Sequence, residues 1–412
     1  MNDGSTERLI AMTGSHERIG LLLTGGGARA AYQIGVLKAI AEMMPAGSAC
    51  PFRVISGTSA GGVAAVALAS RMADFRGAVA GLERVWANFR VEQVFRADTM
   101  SMLRAGLHWL LSFISSGILL PPPKSLLDNS PLRKLLGRSL SFRGIRRSID
   151  QGRLLTLGIC ATGFSSGRSI AFFDGVADVG EWERVASYGQ RTRLTLDHLM
   201  ASLSIPFLFP AVHLQGEYFG DGAMRQANPL SPAIHLGAER VLVIGVRQRG
   251  LQGAFGHLPG GIAPTAGQIF GYMLDTLFMD QIYADLEQLE RLNHLLQFAP
   301  ASFAGLRAIR ALVIAPSHDP LEIASRHSRE LPRPLRALLR TMGASASATS
   351  SLASYLMFES GYTRELIALG YEDARARRDE LSDLLFGAPA SDKPAPQPVR
   401  DLLEGEPARI KA

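Results

Sequence analysis

Three short blocks of this chain combine residue types and spacings that could do chemistry. In the first, Gly57-Thr58-Ser59-Ala60-Gly61, a serine stands in a G-x-S-x-G pattern inside the stretch FRVISGTSAGGVAA. An apolar run precedes it and a small, apolar, helix-compatible run follows, which is the strand–turn–helix setting the pattern needs. Such a turn strains the serine backbone, and glycines on either side avoid clashes with neighbouring elements. The hydroxyl then projects from the carboxyl end of a strand, near the positive end of the next helix, as a nucleophile would. As a bare pattern the motif also arises in inert Gly/Ser turns; the flanking elements favour the nucleophile.

The second block, Thr24-Gly25-Gly26-Gly27-Ala28-Arg29-Ala30-Ala31, follows the first apolar run. Consecutive glycines let backbone N–H groups converge at a helix N-terminus, which makes an anion or oxyanion site, and Arg29 adds a formal positive charge nearby. A dinucleotide loop is the competing reading. It would want an acidic residue about 20 positions on, at the end of the next strand. Glu42 falls in a predicted helix instead, and the next strand runs into Ser59. A P-loop is excluded because no Gly-Lys-Ser/Thr follows.

The third block is Gly220-Asp221-Gly222-Ala223, where a carboxylate is presented between glycines. Alone, Asp-Gly reads as a hairpin turn. After the other two blocks, Asp221 becomes the candidate base. The nine histidines are at 16, 108, 198, 213, 235, 257, 294, 318 and 327. His213 and His235 stand nearest to interesting residues, and neither has a distinctive catalytic context. An α/β-hydrolase would place its serine after several strands, whereas Ser59 follows the second.

The elements that must position these blocks can be read from periodicity. Buried strands are predicted at 19–24, 52–56, 154–161, 241–246 and 312–315, and helices at 28–42, 60–71, 196–202, 334–340 and 352–370. Residues 79–140 read as helical and interrupted by prolines. Residues 266–296 read as an amphipathic helix or helix pair, core-packed through Ile269, Met273, Leu277, Ile282, Leu286, Leu289 and Leu296. Strand, helix, strand, helix at the start is a βαβα unit. The fold class is therefore α/β, a mainly parallel central sheet flanked by helices, with a helical C-terminal extension.

Composition limits the alternatives. At 412 residues, length suggests two or three domains or one large hydrolase core. Hydrophobic residues at 47% and charged residues at 19% exclude wholesale disorder. The 42 glycines have no Gly-X-Y period. Two cysteines, Cys50 and Cys160, cannot make a disulfide framework or a structural zinc site, and a reducing, cytoplasmic setting is expected. A net charge of +6 with 7% aromatics does not suggest nucleic acid. The basic excess is local: Arg133, Lys134, Arg138, Arg143, Arg146, Arg147 and Arg153 against Asp150 alone. It is either a solvated face or a patch for anionic lipid head groups. Residues 107–120, LHWLLSFISSGILL, are too short to span a bilayer. A buried helix is the default there and an interfacial helix the alternative. The first residues include Asp3 and Glu7 and lack an apolar core, so no secretory signal is expected.

The three blocks together resemble the patatin-like phospholipases, in particular bacterial members. Gly25-Gly26-Gly27-Ala28-Arg29-Ala30 is similar to that family's oxyanion block, Gly57-Thr58-Ser59-Ala60-Gly61 to its nucleophile elbow, and Asp221-Gly222-Ala223 to its acidic block. Further similarity runs through 127–132 and 201–210. Ala30 departs from the family's usual glycine. The resemblance covers about 18–246 and extends more loosely to about 370. It implies a Ser59–Asp221 dyad without histidine, oxyanion donors at the N–H groups of Gly26 and Gly27, and no cofactor or metal. It also implies a lipid substrate, a phospholipid or lysophospholipid; the 107–120 segment and the basic stretch after it add the expectation of peripheral contact with the inner face of a membrane. The chain then divides into a polar lead-in at 1–17, a catalytic core at 18–246, a mostly helical extension at 247–386 and a disordered tail at 387–412. The other readings carried forward are an acyltransferase or general esterase with the same dyad, and a non-catalytic lipid-binding module.

Overall fold

The computed structural model describes residues 18–115, 124–248, 263–298, 307–344 and 351–387. The expectations for 1–17, for the end of the 107–120 segment and for the tail after Gly387 lie outside the described residues. Ten strands form one sheet: β1 (Ile19–Leu23), β2 (Val54–Thr58), β3 (Thr156–Gly163), β4 (Ser169–Gly175), β5 (Trp182–Glu183), β6 (Ser187–Arg191), β7 (Val212–Leu214), β8 (Glu217–Asp221), β9 (Arg240–Ile244) and β10 (Arg310–Ile314). The order is β10-β9-β1-β2-β3-β4-β6-β5, and β8 pairs with both β3 and β7. From β10 to β3 every pairing is parallel. That half holds the continuous apolar strands, β1, β2, β3 and β9, which are buried along their whole length because helices cover both faces.

Beyond β3 the sheet is mixed: antiparallel at β3–β4, β3–β8, β5–β6 and β7–β8, and parallel at β4–β6. None of β4 to β8 was expected as a strand. The hairpin is β7–β8, and its turn is Gln215-Gly216, both at positive φ (48° and 87°). The Asp221-Gly222 pair is no turn tip: Asp221 ends β8 and caps a short 3-10 helix, Gly222–Arg225.

The helix Ala31–Met43 is buried almost all round because the sheet lies on one side of it and the helix Ser360–Ala376 on the other. The two helices meet through reciprocal glycines. A Cβ on Gly35 would stand 2.0 Å from the carbonyl oxygen of Ile367, and one on Gly370 would stand 2.1 Å from that of Tyr32. The C-terminal helix is thus part of the same core as the first βα unit.

Two sequence expectations change here. Residues 266–296 form the helix Ala266–Asp275, a π-helical turn Thr276–Asp280 and the helix Gln281–Leu296. The face of the first helix that packs inward carries Gly267, Gly271 and Leu274, while Ile269 and Met273 are exposed. The reason is close approach: a Cβ on Gly267 would meet Ala344 at 2.5 Å, and one on Gly271 would meet the backbone nitrogen of Leu352 at 2.9 Å. The second correction concerns residues 107–114, which end the helix Thr99–Ile114. Leu107, Leu111 and Ile114 are 56%, 43% and 69% exposed, one apolar stripe facing outward, so a fully buried helix is not what forms. Among the described residues no helix is long and apolar enough to cross a membrane.

Gly370→Ala puts a methyl against a backbone carbonyl that cannot yield like a flexible side chain. Overpacking of this kind is expected to destabilise the protein by about 2 kcal/mol. Urea unfolding of the variant against the wild type measures it, and an unchanged midpoint would contradict the interlock.

Candidate active site

Ser59 sits between β2 and the helix Ala60–Ala69 with φ 52° and ψ −127°, a conformation that costs a non-glycine residue about 1–3 kcal/mol. The flanking glycines permit the turn. A Cβ on Gly57 would come within 2.7 Å of Gly62, and one on Gly61 within 2.4 Å of the Leu23 carbonyl at the end of β1. The strain is held by a hydrogen bond that sequence gave no sign of: the Ser59 N–H donates to Ser202 Oγ at 2.8 Å. Ser202 closes the helix Leu196–Ser202 and is fully buried.

Asp221 reaches Ser59 through strand register. β2 pairs with β3 as far as Thr58 opposite Cys160, and the next residue of β3, Ala161, pairs with Asp221. β8 therefore takes over the position beside β3 that β2 leaves, and the two chains meet end to end at Ser59 and Asp221. Gly222 is needed for this approach, because a Cβ there would stand 2.2 Å from the Cys160 carbonyl oxygen. The Asp221 N–H donates to the Ser204 carbonyl at 2.9 Å, two residues after Ser202. One short segment thus braces both candidate residues.

The carboxyl of Asp221 is 1% exposed. Its Oδ1 accepts the Ala223 N–H at 3.0 Å, and its Oδ2 is buried without completing a hydrogen bond. Burial pushes the pKa up to about 7, with the Ser59 hydroxyl and the Ala223 N–H holding it down. The Ser59 hydroxyl is thus near enough to favour the anion. Gln226 links the two blocks further, accepting from Thr58 Oγ1 at 3.0 Å and donating to Cys160 Sγ at 3.4 Å. Cys160 itself is a buried thiol whose pKa burial pushes up to about 11, so it stays protonated.

The glycine block lies against the same point. Gly27, at φ 53°, opens a 3-10 helix, Gly27–Ala30, and the first N–H groups of a helix have no intrahelical partner. Gly26 must be glycine because Val246 would stand 2.5 Å from a Cβ, and a Cβ on Gly25 would lie 3.1 Å from that of Ser59. Ala28 and Ala30 are buried with it, and Ala30 has an ordinary helical φ of −64°. Arg29 does not supply a free charge to the site. Its buried guanidinium pairs with Asp275 at 2.8 Å, donates to Ser354 Oγ at 2.8 Å and stacks over the Tyr355 ring at 4.0 Å. It anchors the loop to the C-terminal region.

The two histidines nearest in sequence are occupied elsewhere. His213 packs on Tyr218, and His235 stacks on Trp182 and bonds the Ser231 carbonyl. His198, in the Leu196–Ser202 helix, caps its N-terminus with Thr195 and packs on Phe172. The basic stretch is partly neutralised: Arg133 pairs with Asp197 at 2.6 Å, and Arg146 with Asp150 at 2.9 Å and Asp174 at 3.8 Å.

Residues 21–234 match the family model described as patatin-like phospholipase. No curated protein matches the chain. Among solved structures, VipD from Legionella pneumophila is similar at 12% identity and a TM-score of 0.34, over 89% of this chain and 67% of that one. Human GIVD cytosolic phospholipase A2 is similar at 11% identity and a TM-score of 0.38, over 92% of this chain; the chain spans 61% of that structure's chain.

The raised pKa of Asp221 carries a stability consequence. An acid whose folded pKa lies above its unfolded value stabilises fully below the unfolded value, near 4, and loses that contribution as pH rises through about 7. Asp221→Asn is therefore expected to be more stable than the wild type at pH 8, by on the order of 2 kcal/mol, with the advantage shrinking towards pH 4. Urea midpoints of both proteins across that range test this. A variant less stable than wild type at pH 8 would contradict the burial of an uncompensated carboxylate.

Proposed function

The chain belongs to the patatin-like phospholipase family, and on that premise we propose that it is a serine lipid acyl hydrolase of phospholipase A or lysophospholipase type, working through Ser59 and Asp221. The observation that carries the reading is the buried, unsatisfied Oδ2 of Asp221 beside a serine at a strained elbow. A carboxylate with an ordinary pKa is a weak base toward a hydroxyl. Desolvation to about 7 narrows that gap without a histidine.

In this mechanism Ser59 Oγ attacks the ester carbonyl carbon as its proton passes to Asp221. The carbonyl oxygen becomes an oxyanion facing the N–H groups of Gly26 and Gly27, which stabilise the developing charge. Collapse breaks the ester C–O bond, and Asp221 returns the proton to the departing alcohol. Asp221 then takes a proton from water, which attacks the acyl-serine. The fatty acid leaves and Ser59 recovers its proton. Acyl transfer to another alcohol in place of water would use the same groups.

Peripheral membrane contact is part of the proposal, and a specific observation supports it. The outward stripe Leu107, Leu111 and Ile114 gives an apolar helix end of the kind that lies in a lipid interface, and the exposed Arg104, one turn before Leu107 on the same face, places a charge at head-group level. Among the described residues, Lys134, Arg138, Arg143, Arg147 and Arg153 are the basic residues of the stretch left to meet head groups once Arg133 and Arg146 are paired.

Fatty-acid release from a panel of phospholipids, lysophospholipids and neutral glycerides tests the reaction. Ser59→Ala is expected to abolish release in a folded protein, Asp221→Asn to lower it by about 10³-fold or more, and no single His→Ala change to do so. The rate should rise with pH through about 7 as Asp221 ionises in the free enzyme. Substantial turnover by folded Ser59→Ala, or a histidine variant as inactive as Asp221→Asn, would refute the dyad. Vesicle sedimentation tests the membrane contact. Changing Leu107, Leu111 and Ile114 together to Ser is expected to lower the affinity for anionic vesicles by about 10³-fold or more, since each buried apolar side chain contributes about 1.5–3 kcal/mol; equal pelleting would make the stripe an ordinary exposed surface.

A further inference from the structure

Ser59 and Asp221 are each only 1% exposed, and the cavity beside them, lined by Thr24, Gly25, Thr58, Ala223 and Phe278, measures about 10 Å³, the space of about one water. No ester can reach Ser59 through it. The obstacle is specific. Phe278, in the turn Thr276–Asp280, lays its ring on Gly25: a Cβ on that glycine would be 2.4 Å from Phe278 Cδ1 and Cε1, and 3.1 Å from the Cβ of Ser59. The ring occupies the approach shared by the serine and the glycine loop.

The turn is held at both ends by carboxylates, each on a different catalytic block. Before it, Asp275 pairs with Arg29 of the glycine block at 2.8 Å and accepts from the Tyr355 hydroxyl at 2.8 Å. After it, Asp285 accepts the Leu230 N–H at 2.8 Å and the Asn228 side-chain amide at 3.3 Å, in the segment that follows Asp221. Between these anchors the helix pattern slips to π, the Thr276 hydroxyl is buried without a partner, and the helix beyond buries only Ile282. Slipped helical turns of this kind recur at functional sites, and few buried contacts let a segment open locally.

We infer that the turn Thr276–Asp280 is a gate over the active site, with Phe278 as its plug, which swings between the Asp275 and Asp285 anchors to admit the acyl ester. This rests on the reading of Ser59 as the nucleophile. In the closed form Phe278 excludes substrate and water together; opening exposes Gly25, Ser59 and the glycine-loop amides at once.

The test is labelling of the full chain by a short alkyl fluorophosphonate, in which Ser59 Oγ bonds to phosphorus, fluoride leaves and the proton passes to Asp221. Phe278→Ala is expected to be labelled roughly ten-fold faster than wild type or more, because an open state populated at 10% or less slows access by that fraction. Phe278→Leu should fall between the two. Equal or slower labelling of a folded Phe278→Ala overturns the gate. A second measurement needs no variant: hydrogen exchange across Thr276–Asp280 should rise once wild type carries a long-chain phosphonyl group, and unchanged protection there also overturns it. Failure of every protein to be labelled at Ser59 refutes the nucleophile and the gate with it, whereas labelling indifferent to Phe278 refutes the gate alone.

Discussion

Everything at the site depends on β3 outlasting β2. β2 stops opposite Cys160, β3 runs on to Gly163, and the vacated edge is filled from the other direction by β8. Backbone hydrogen bonds set that register, and a shift of one residue would turn the Asp221 side chain to the opposite face of the sheet. The placement of the acid therefore comes from the ladder and not from any flexible loop. Ser202 and Ser204 add a second fixed frame, since one helix end holds the Ser59 amide and the Asp221 amide together.

The same region shows how charge is managed in a dry site. Of the ionisable groups buried there, Arg29 and Asp221 have opposite outcomes. Arg29 is compensated by Asp275, the Tyr355 ring and Ser354, and serves as a tie. Asp221 is left under-compensated, with one oxygen unsatisfied, so it keeps its proton up to near neutral pH, where an ordinary carboxyl has long lost it. A buried group without full partners is costly to the fold, and that cost is localised at the residue that must exchange a proton.

The parallel half of the sheet and the helix after each glycine block were legible in the sequence, because continuous apolar runs and Gly punctuation are local signals. The mixed half beyond β3 was not. β6 reads SYGQR and β7 only VHL, and neither alternates strongly enough to stand out. Residues that could do chemistry were visible as types, but their supports were not. Ser202 and Gln226 are ordinary polar residues until a distant segment brings the elbow to them. Arg29 illustrates the opposite error. Its position beside the glycines suggested a charge for the site, and only the fold reveals Asp275, 246 residues away, neutralising it. Ile269 and Met273 misled for a related reason: periodicity marked them as the core face, while two glycines allowed the backbone itself to pack instead.

The interlock of Gly35 with Ile367 and of Gly370 with Tyr32 bears on how the protein is made. Ribosomes deliver the glycine loop and the serine early and the acid past the midpoint, but the helix that carries the glycine loop has its outer face covered only when residues beyond 360 emerge, and Arg29 finds its partners only with 275 and 354–355. Contacts that span most of the chain form late. A nascent chain that has passed residue 223 thus holds all three chemical blocks without the supports that align them, and the serine site is assembled only after well over a hundred further residues have been added.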